Sequence, residues 1–345
     1  MPHISAEQRA DLGPWRERWD ELVLRQPVPS PFQRTWWLDA VAAGQATYLV
    51  VAEDDRLVGG LALGVRTRGG ATVLTAPGPV VLCPDHLDVL AAAGRESEVV
   101  AVVADWFGRP GQRVLDVRGS VAGSLLARAV GGTHDQHDEA PYAVVEPGSD
   151  WLAGRSATFR RNVRRGRRKL EALGFTHRRL EPEQVEDGLR ELRRLHQARP
   201  GREALLAELP RLAHALVAGA ALGEARVDVL SGERGTIAVT IAFELGGRLN
   251  LYQVARSTAR EHANAGTVLL AAVAQDAIAH GCHEVDLMRG AEDYKGSFVD
   301  LSRPLERVRA ANGTWAGVQL GAEDAARRTR RAVSATLRSR GGSDA

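Results

Sequence analysis

The densest run of reactive side chains is Asp286-Leu-Met-Arg-Gly-Ala-Glu-Asp-Tyr-Lys295, which sets carboxylates, a guanidinium, a phenol and an ammonium within a short stretch. Such a set suits proton transfer coupled to the holding of a developing negative charge. Asp286 or Glu292 can take a proton directly or through water, the Tyr294 phenol can protonate a leaving thiolate, and Lys295 can hold an oxyanion or a phosphate. Only Lys169 and Lys295 among the 45 basic residues are lysine. Where arginine is otherwise used throughout, a compact three-donor ammonium adds weight to Lys295 as a functional candidate. Charge concentrates again at 160–169, where Arg160, Arg161, Arg164, Arg165, Arg167, Arg168 and Lys169 crowd one segment. Like charges four residues apart repel on a helix, so a phosphate-bearing substrate or RNA is the expected compensation, with Arg161 and Arg164 as substrate contacts. Phe159 is the only aromatic nearby, which argues against base stacking.

Other clusters point nowhere specific. His134, Asp135, His137, Asp138 and Glu139 supply no third ligand at a metal-binding spacing and read as a surface loop, so no metal is expected. Cys83 and Cys282 are the only cysteines, too few for a disulfide framework or a cysteine-rich zinc module.

The elements that must carry these groups read as strands interleaved with helices, an α/β (α+β) pattern. Tyr48–Val65 and Arg226–Phe243 are each two β-rich runs around a polar turn, and Arg248–Val254 adds a third run to the second pair. Downstream of each comes an alanine-rich helical stretch and a strand ending in Arg-Gly, Arg113–Gly119 and His283–Gly290, which suggests an internal duplication. Helices are expected over Ala6–Arg25, Trp36–Ala43, Ser156–Leu173 with Ser156 as cap, Val185–Gln197, Arg202–Ala218 and Gly266–His280. Gly148–Gly154 reads as a linker and sets a boundary near residue 150, giving domains 1–150 and 151–345. Trp36 and Trp37 are expected between the halves.

Composition bounds the function. With 44% hydrophobic and 26% charged residues and a net charge of +2, the 345-residue chain is an ordinary globular protein with no global polyanion signal. No apolar run reaches the ~18 residues a membrane span needs, and the opening MPHISAEQRADLGPW lacks a basic start followed by an apolar core, so membrane insertion is not expected and a cytoplasmic location is.

Leu249–Phe298, read as strand, loop, helix opened by Asn264-Ala-Gly266 and closed by Gly281, second strand and the Asp286–Lys295 string, resembles the FemAB-like (BioF2-like, CelD-like) branch of the GNAT acyltransferases. The basic segment before it fits the same family, and the likeness covers about 155 to 300. The resemblance implies tandem GNAT-like domains, each a mixed sheet flanked by helices, the first degenerate. In a GNAT fold two parallel strands splay and bind the pantetheine arm of an acyl-CoA as though it were another strand, with the next helix aimed at the pyrophosphate. That would place Tyr252, Gln253, Arg256, Asn264, Gly266 and Thr267 on the cofactor and Tyr294 and Lys295 at the transfer site, with Arg289 on the substrate. The segment Arg260–Gly266 departs from the glycine-rich acetyl-CoA turn by carrying one glycine. The implied activity is transfer of an acyl group, most simply acetyl from acetyl-CoA, to a small-molecule or peptide amine. The alternatives are an aminoacyltransferase using aminoacyl-tRNA, the one nucleic acid expected, and a degenerate GNAT pair that only binds.

Overall fold

The structure is a computed structural model that describes residues 4–42, 44–290 and 292–341. Its strands are β1 Ile4–Arg9, β2 Ala46–Glu53, β3 Arg56–Arg68, β4 Ala71–Thr75, β5 Leu90–Ala91, β6 Arg113–Val121, β7 Thr133–Val144, β8 Thr176–Arg179, β9 Ala225–Gly232, β10 Gly235–Leu245, β11 Arg248–Arg256, β12 Glu284–Asp286 and β13 Leu301–Asn312. The helices are α1 Arg16–Leu24, α2 Thr35–Ala42, α3 Glu96–Gly108, α4 Leu125–Val130, α5 Ala157–Ala172, α6 Val185–Gln197, α7 Glu203–Ala207, α8 Leu209–Ala221, α9 Ala265–Ala279 and α10 Thr314–Gly341.

The strands join one mixed sheet in the order β1-β2-β3-β4-β6-β13-β7-β12-β11-β10-β9-β8, with β5 on β3. Each half follows the same plan: antiparallel hairpins, then one parallel pair, β4 with β6 and β11 with β12. The halves then trade their last strands. β7 leaves the first half to pair with β12, β13 returns from the second half to pair with β6, and the two exchanged strands pair with each other down the middle. Sheet closure therefore needs both halves.

Helices follow local signals where those are strong. Ser156 caps α5 by accepting from the Phe159 amide at 3.2 Å, and Gly174 adopts φ +84° just beyond the helix. Phe159, Val163, Gly166 and Leu170 form the buried stripe of α5, and Gly166 lets α5 approach α9, since a Cβ there would lie 3.0 Å from Val268. The arginine face turns outward. The segment 6–25 is not one helix: Ile4–Arg9 is an edge strand on β2, and only Arg16–Leu24 is α-helical. Residues 134–139 lie in strand β7 rather than a loop, and Trp151 and Leu152 of the expected linker are buried.

One core runs through both halves. Phe32, Trp36 and Trp37 pack against Phe243 and Tyr252, with Phe32 and Trp37 centroids 4.8 Å apart and Trp36 and Phe243 5.7 Å apart. Arg34 makes a two-pronged pair with Glu224, which also accepts from the Trp36 indole at 2.7 Å. Among the described residues no helix is long and apolar enough to cross a membrane.

Candidate active site

β11 and β12 stay paired over three positions only, Arg248 with Glu284, Leu249 with Val285 and Asn250 with Asp286. Beyond them the strands part. The cause lies on the other edge of β11: Ile241 of β10 faces Gln253 while Ala242 faces Leu251, so Tyr252 is an extra residue, and such a bulge bends and twists its strand. Met288, just past β12, takes φ +56° with its amide bonded to Asp286 Oδ1 at 2.6 Å, which turns the chain away. Left-handed backbone at a non-glycine residue is costly and clusters at functional sites. Cys83 (φ +45°) and His86 (φ +57°) flank Asp85 on the opposite wall.

The wedge between the parted strands is a cavity of about 320 Å³. Leu251–Val254 form one wall, Leu287–Gly290 the other, and Glu292, Tyr294 and Lys295 the lip. Arg202, from the turn before α7, and Cys83 and Asp85, from the first half, complete it. Two residues, Tyr252 and Arg289, fix the first-half loop to the second half. The buried Tyr252 hydroxyl donates to the Leu82 carbonyl at 2.6 Å, and Arg289 grips Asp85 by its side chain and, at 2.9 Å, its backbone amide. Burial pushes the Asp85 carboxyl above the usual range, opposed by Arg289.

Of the expected catalytic set, Glu292, Tyr294 and Lys295 share the cavity and Asp286 does not. Lys295 is 4% exposed, and Nζ donates to the carbonyls of Met288 (3.1 Å), Arg289 (2.7 Å) and Gly290 (3.1 Å) while pairing with Glu292 at 2.8 Å. An ammonium has three hydrogens, so no donor is left for an oxyanion. Burial raises the Glu292 carboxyl, but the adjacent Lys295 ammonium outweighs it and leaves the group below the ordinary value. Tyr294 is 40% exposed at the lip, and its phenol is pushed up to about 12 by burial and then by Glu292. Asp286 is buried against Arg303 at 2.8 Å, with His86 at 3.3 Å, and burial lifts it to about 6. It anchors the end of β12 from outside the cavity.

The expected cofactor contacts divide in the same way. Tyr252 and Gln253 line the cavity; Arg256, Asn264, Gly266 and Thr267 lie beyond it, where β11 ends and α9 begins. Asn264 enters α9 at φ +72° with no side-chain cap, leaving the first-turn amides open, and a Cβ on Gly266 would lie 3.1 Å from Arg256 Cδ. Arg199 is lowered by burial and by repulsion from Arg202 and Arg256, and of these three cations Arg202 lines the cavity. Arg161 and Arg164 are exposed on α5 and Arg289 lines the cavity. Sequence reasoning missed Cys83, Asp85 and Arg202. The only signal was the punctuation Ala76-Pro-Gly-Pro79 and Cys83-Pro-Asp85, which marks a turn-rich loop without naming its chemistry. Among the described residues no group of three or more His, Cys, Asp or Glu side chains could hold a metal.

His196, near Arg202, is buried with both ring nitrogens unpartnered among the described residues, and burial, then Arg202 and Arg199, push it down to about 4. A histidine held below its unfolded value of about 6.5 contributes stability above that pH, and the contribution is lost as pH falls toward 4. His196→Leu is therefore expected to flatten the acid limb of stability between pH 6.5 and 4 by one proton, measured by urea unfolding at a series of pH values. A slope identical to the parent's would show that His196 takes no proton on unfolding.

Residues 157–296 match the family model described as an acetyltransferase (GNAT) domain. Among solved structures, FemX shares 11% identity at a TM-score of 0.63, covering 87% of this chain and 96% of that one. L-PGS from Bacillus licheniformis shares 12% identity at 0.54, covering 86% and 90%. A tandem GNAT protein from the clavulanic acid biosynthesis pathway, solved without acetyl-CoA, shares 14% identity at 0.52, covering 90% and 99%. No curated protein sequence matches the chain. The parted strands lie inside the matched GNAT domain of residues 157–296, and that domain makes the protein an acyltransferase. The fold of the whole chain is the tandem GNAT-like arrangement of these structures, each half contributing a mixed portion of the sheet flanked by helices.

Proposed function

We propose that the protein transfers an acyl group, most simply acetyl, from an acyl-CoA to the amine of a small molecule or peptide. The observation that carries the reading is the wedge at Tyr252, which offers an unpaired β11 edge beside a cavity of about 320 Å³. The pantetheine arm would lie along Leu251–Val254 as an added strand, with the pyrophosphate toward the open amides of α9 and the Arg199, Arg202 and Arg256 cluster. The amine nitrogen attacks the thioester carbonyl, the nitrogen proton passes to Glu292 through water, the carbon–sulfur bond breaks, and Tyr294 protonates the leaving thiolate. A phenol near 12 stays protonated at neutral pH and is a stronger acid toward a thiolate in contact than bulk water is. Glu292 rather than Asp286 is assigned the proton because only Glu292 reaches the cavity. Lys295 is assigned to fastening the loop that carries them. Residues 1–150 and 151–345 are proposed as the two GNAT-like halves, and a coenzyme A donor would put the work in the cytoplasm.

A second reading, with aminoacyl-tRNA as donor, draws on one feature. Arg161, Arg164, Arg165, Arg168 and Lys169 stand exposed on α5, whose Gly166 abuts Asn264 at the head of α9. Nucleic-acid phosphates suit such a face. Coenzyme A is expected to raise the melting temperature by mass action, and stabilisation by tRNA but not coenzyme A would favour the second reading. Stabilisation by neither would leave a binding module. Tyr294→Phe is expected to lower kcat about 100-fold with donor KM little changed, as loss of a general acid does. An unchanged kcat would remove Tyr294 from the mechanism.

A further inference from the structure

The first half has a strand opening of its own. β4 and β6 run parallel from Thr72 with Arg113 to Thr75 with Asp116, part there, and the chain rejoins β6 only at the bridge between Leu87 and Ser120. This is the counterpart of the β11–β12 wedge, and the duplicated strand ends coincide: Asp116-Val-Arg118-Gly119 in one half, Asp286-Leu-Met-Arg289-Gly290 in the other. The first-half opening holds a cavity of about 240 Å³. No Glu-x-Tyr-Lys string follows Gly119, so the chemistry of the lip is missing. Arginines stand there instead.

Arg66, Arg68, Arg118, Arg289 and Arg307 all line this cavity, against two carboxylates, Asp116 and Glu323. Asp116 is taken by Arg307, Glu323 by Arg68 at 2.6 Å, and Arg289 by Asp85. Arg66 and Arg118 have no carboxylate partner among the described residues. Burial, and then repulsion from Arg307, lowers Arg118, as expected of a guanidinium facing its own kind. The loop 76–86 is the partition between the two cavities, with Pro79, Val80 and Pro84 on this side, Cys83 and Asp85 on the other, and Arg289 reaching both.

The geometry points to a second, non-catalytic binding site in the first half, in which Arg66 and Arg118 hold a phosphate or pyrophosphate group. Planar guanidiniums grip such oxyanions in pairs, and a phosphate supplies the negative charge this arginine-lined cavity lacks. A cavity of about 240 Å³ has room for a pyrophosphate and part of what it is attached to. The site stands independently of the donor assigned to the second half.

Calorimetric titration of the full chain with inorganic pyrophosphate tests it. Arg66 and Arg118 are exposed, so the Arg66→Gln/Arg118→Gln variant should keep its melting temperature while one binding component weakens about tenfold or more. Arg256→Gln, which reports on the other opening, should leave that component alone. Pyrophosphate binding unaltered in the double variant, absence of saturable binding, or loss of the same component in Arg256→Gln would each overturn the proposal. Displacement of the component by coenzyme A would identify a nucleotide donor as the source of the phosphate; displacement by glycerol 3-phosphate alone would identify a phosphorylated acceptor.

Discussion

Lys295→Met is expected to lower the unfolding free energy by about 3 kcal/mol and, in the fraction that remains folded, to raise donor KM. The replacement matches the length of the side chain but deletes all three donors, orphaning the carbonyls of Met288, Arg289 and Gly290 where Lys295 is 4% exposed. A buried acceptor left without its partner costs roughly 1–3 kcal/mol, and partial access of water to the cavity keeps the sum near the stated figure. Those carbonyls belong to the wall that faces Leu251–Val254, so the wedge loses its shape along with its stability. Lys295→Arg should recover only part of the loss, because a planar guanidinium cannot aim at three converging carbonyls. Urea unfolding and steady-state kinetics on the same samples separate the possibilities. Full stability with a collapsed kcat would put Nζ at the reacting atoms and end its assignment as a fastener.

Gly119→Ala should disturb the second-half cavity from a first-half strand, with a stability loss of about 3 kcal/mol. Gly119 sits at φ +81°, where a side chain costs roughly 1–2 kcal/mol by itself. The added Cβ would also land on the Pro84 carbonyl, 2.5 Å from Arg289 Nη2 and 3.1 Å from Asp85 Oδ1. Arg289 holds Asp85 through its side chain and amide and the Pro84 carbonyl at 2.5 Å, so the methyl group pushes directly on the clasp that closes the cavity. Donor KM should rise several-fold in consequence. A variant with altered stability but parental KM would show that the clasp serves the fold and not the cavity.

Much of this was legible in the residues. The hairpins at Tyr48–Val65 and Arg226–Phe243 appear where alternating apolar runs flank polar turns, α5 starts at the Ser156 cap and ends before Gly174, and the Arg-Gly strand ends mark both openings. These features rest on local signals: side-chain period, caps and turn residues. The errors fell where local pattern and pairing disagree. Trp15, Trp19 and Leu22 keep a helical spacing, and extending it backward hid the strand Ile4–Arg9, which forms because β2 offers an edge. His134–Glu139 looks like a polar loop, yet it lies in a strand because β13, far along the chain, pairs with it.

The site divides along the same line. Amine acylation came from the family resemblance of Leu249–Phe298, while the string Asp286–Lys295 displays proton-transfer and anion-holding groups at the end of a strand, because which functional groups are close in the chain can be read directly. Which of them reaches substrate was decided only by the tertiary structure: Asp286 turns to Arg303 outside the cavity, Lys295 spends its hydrogens on three carbonyls, and Asp85, Cys83 and Arg202 arrive from distant segments. A hydrogen-bond donor can be counted from sequence, but whether it is already engaged depends on carbonyls and carboxylates that only the folded backbone brings within 3 Å.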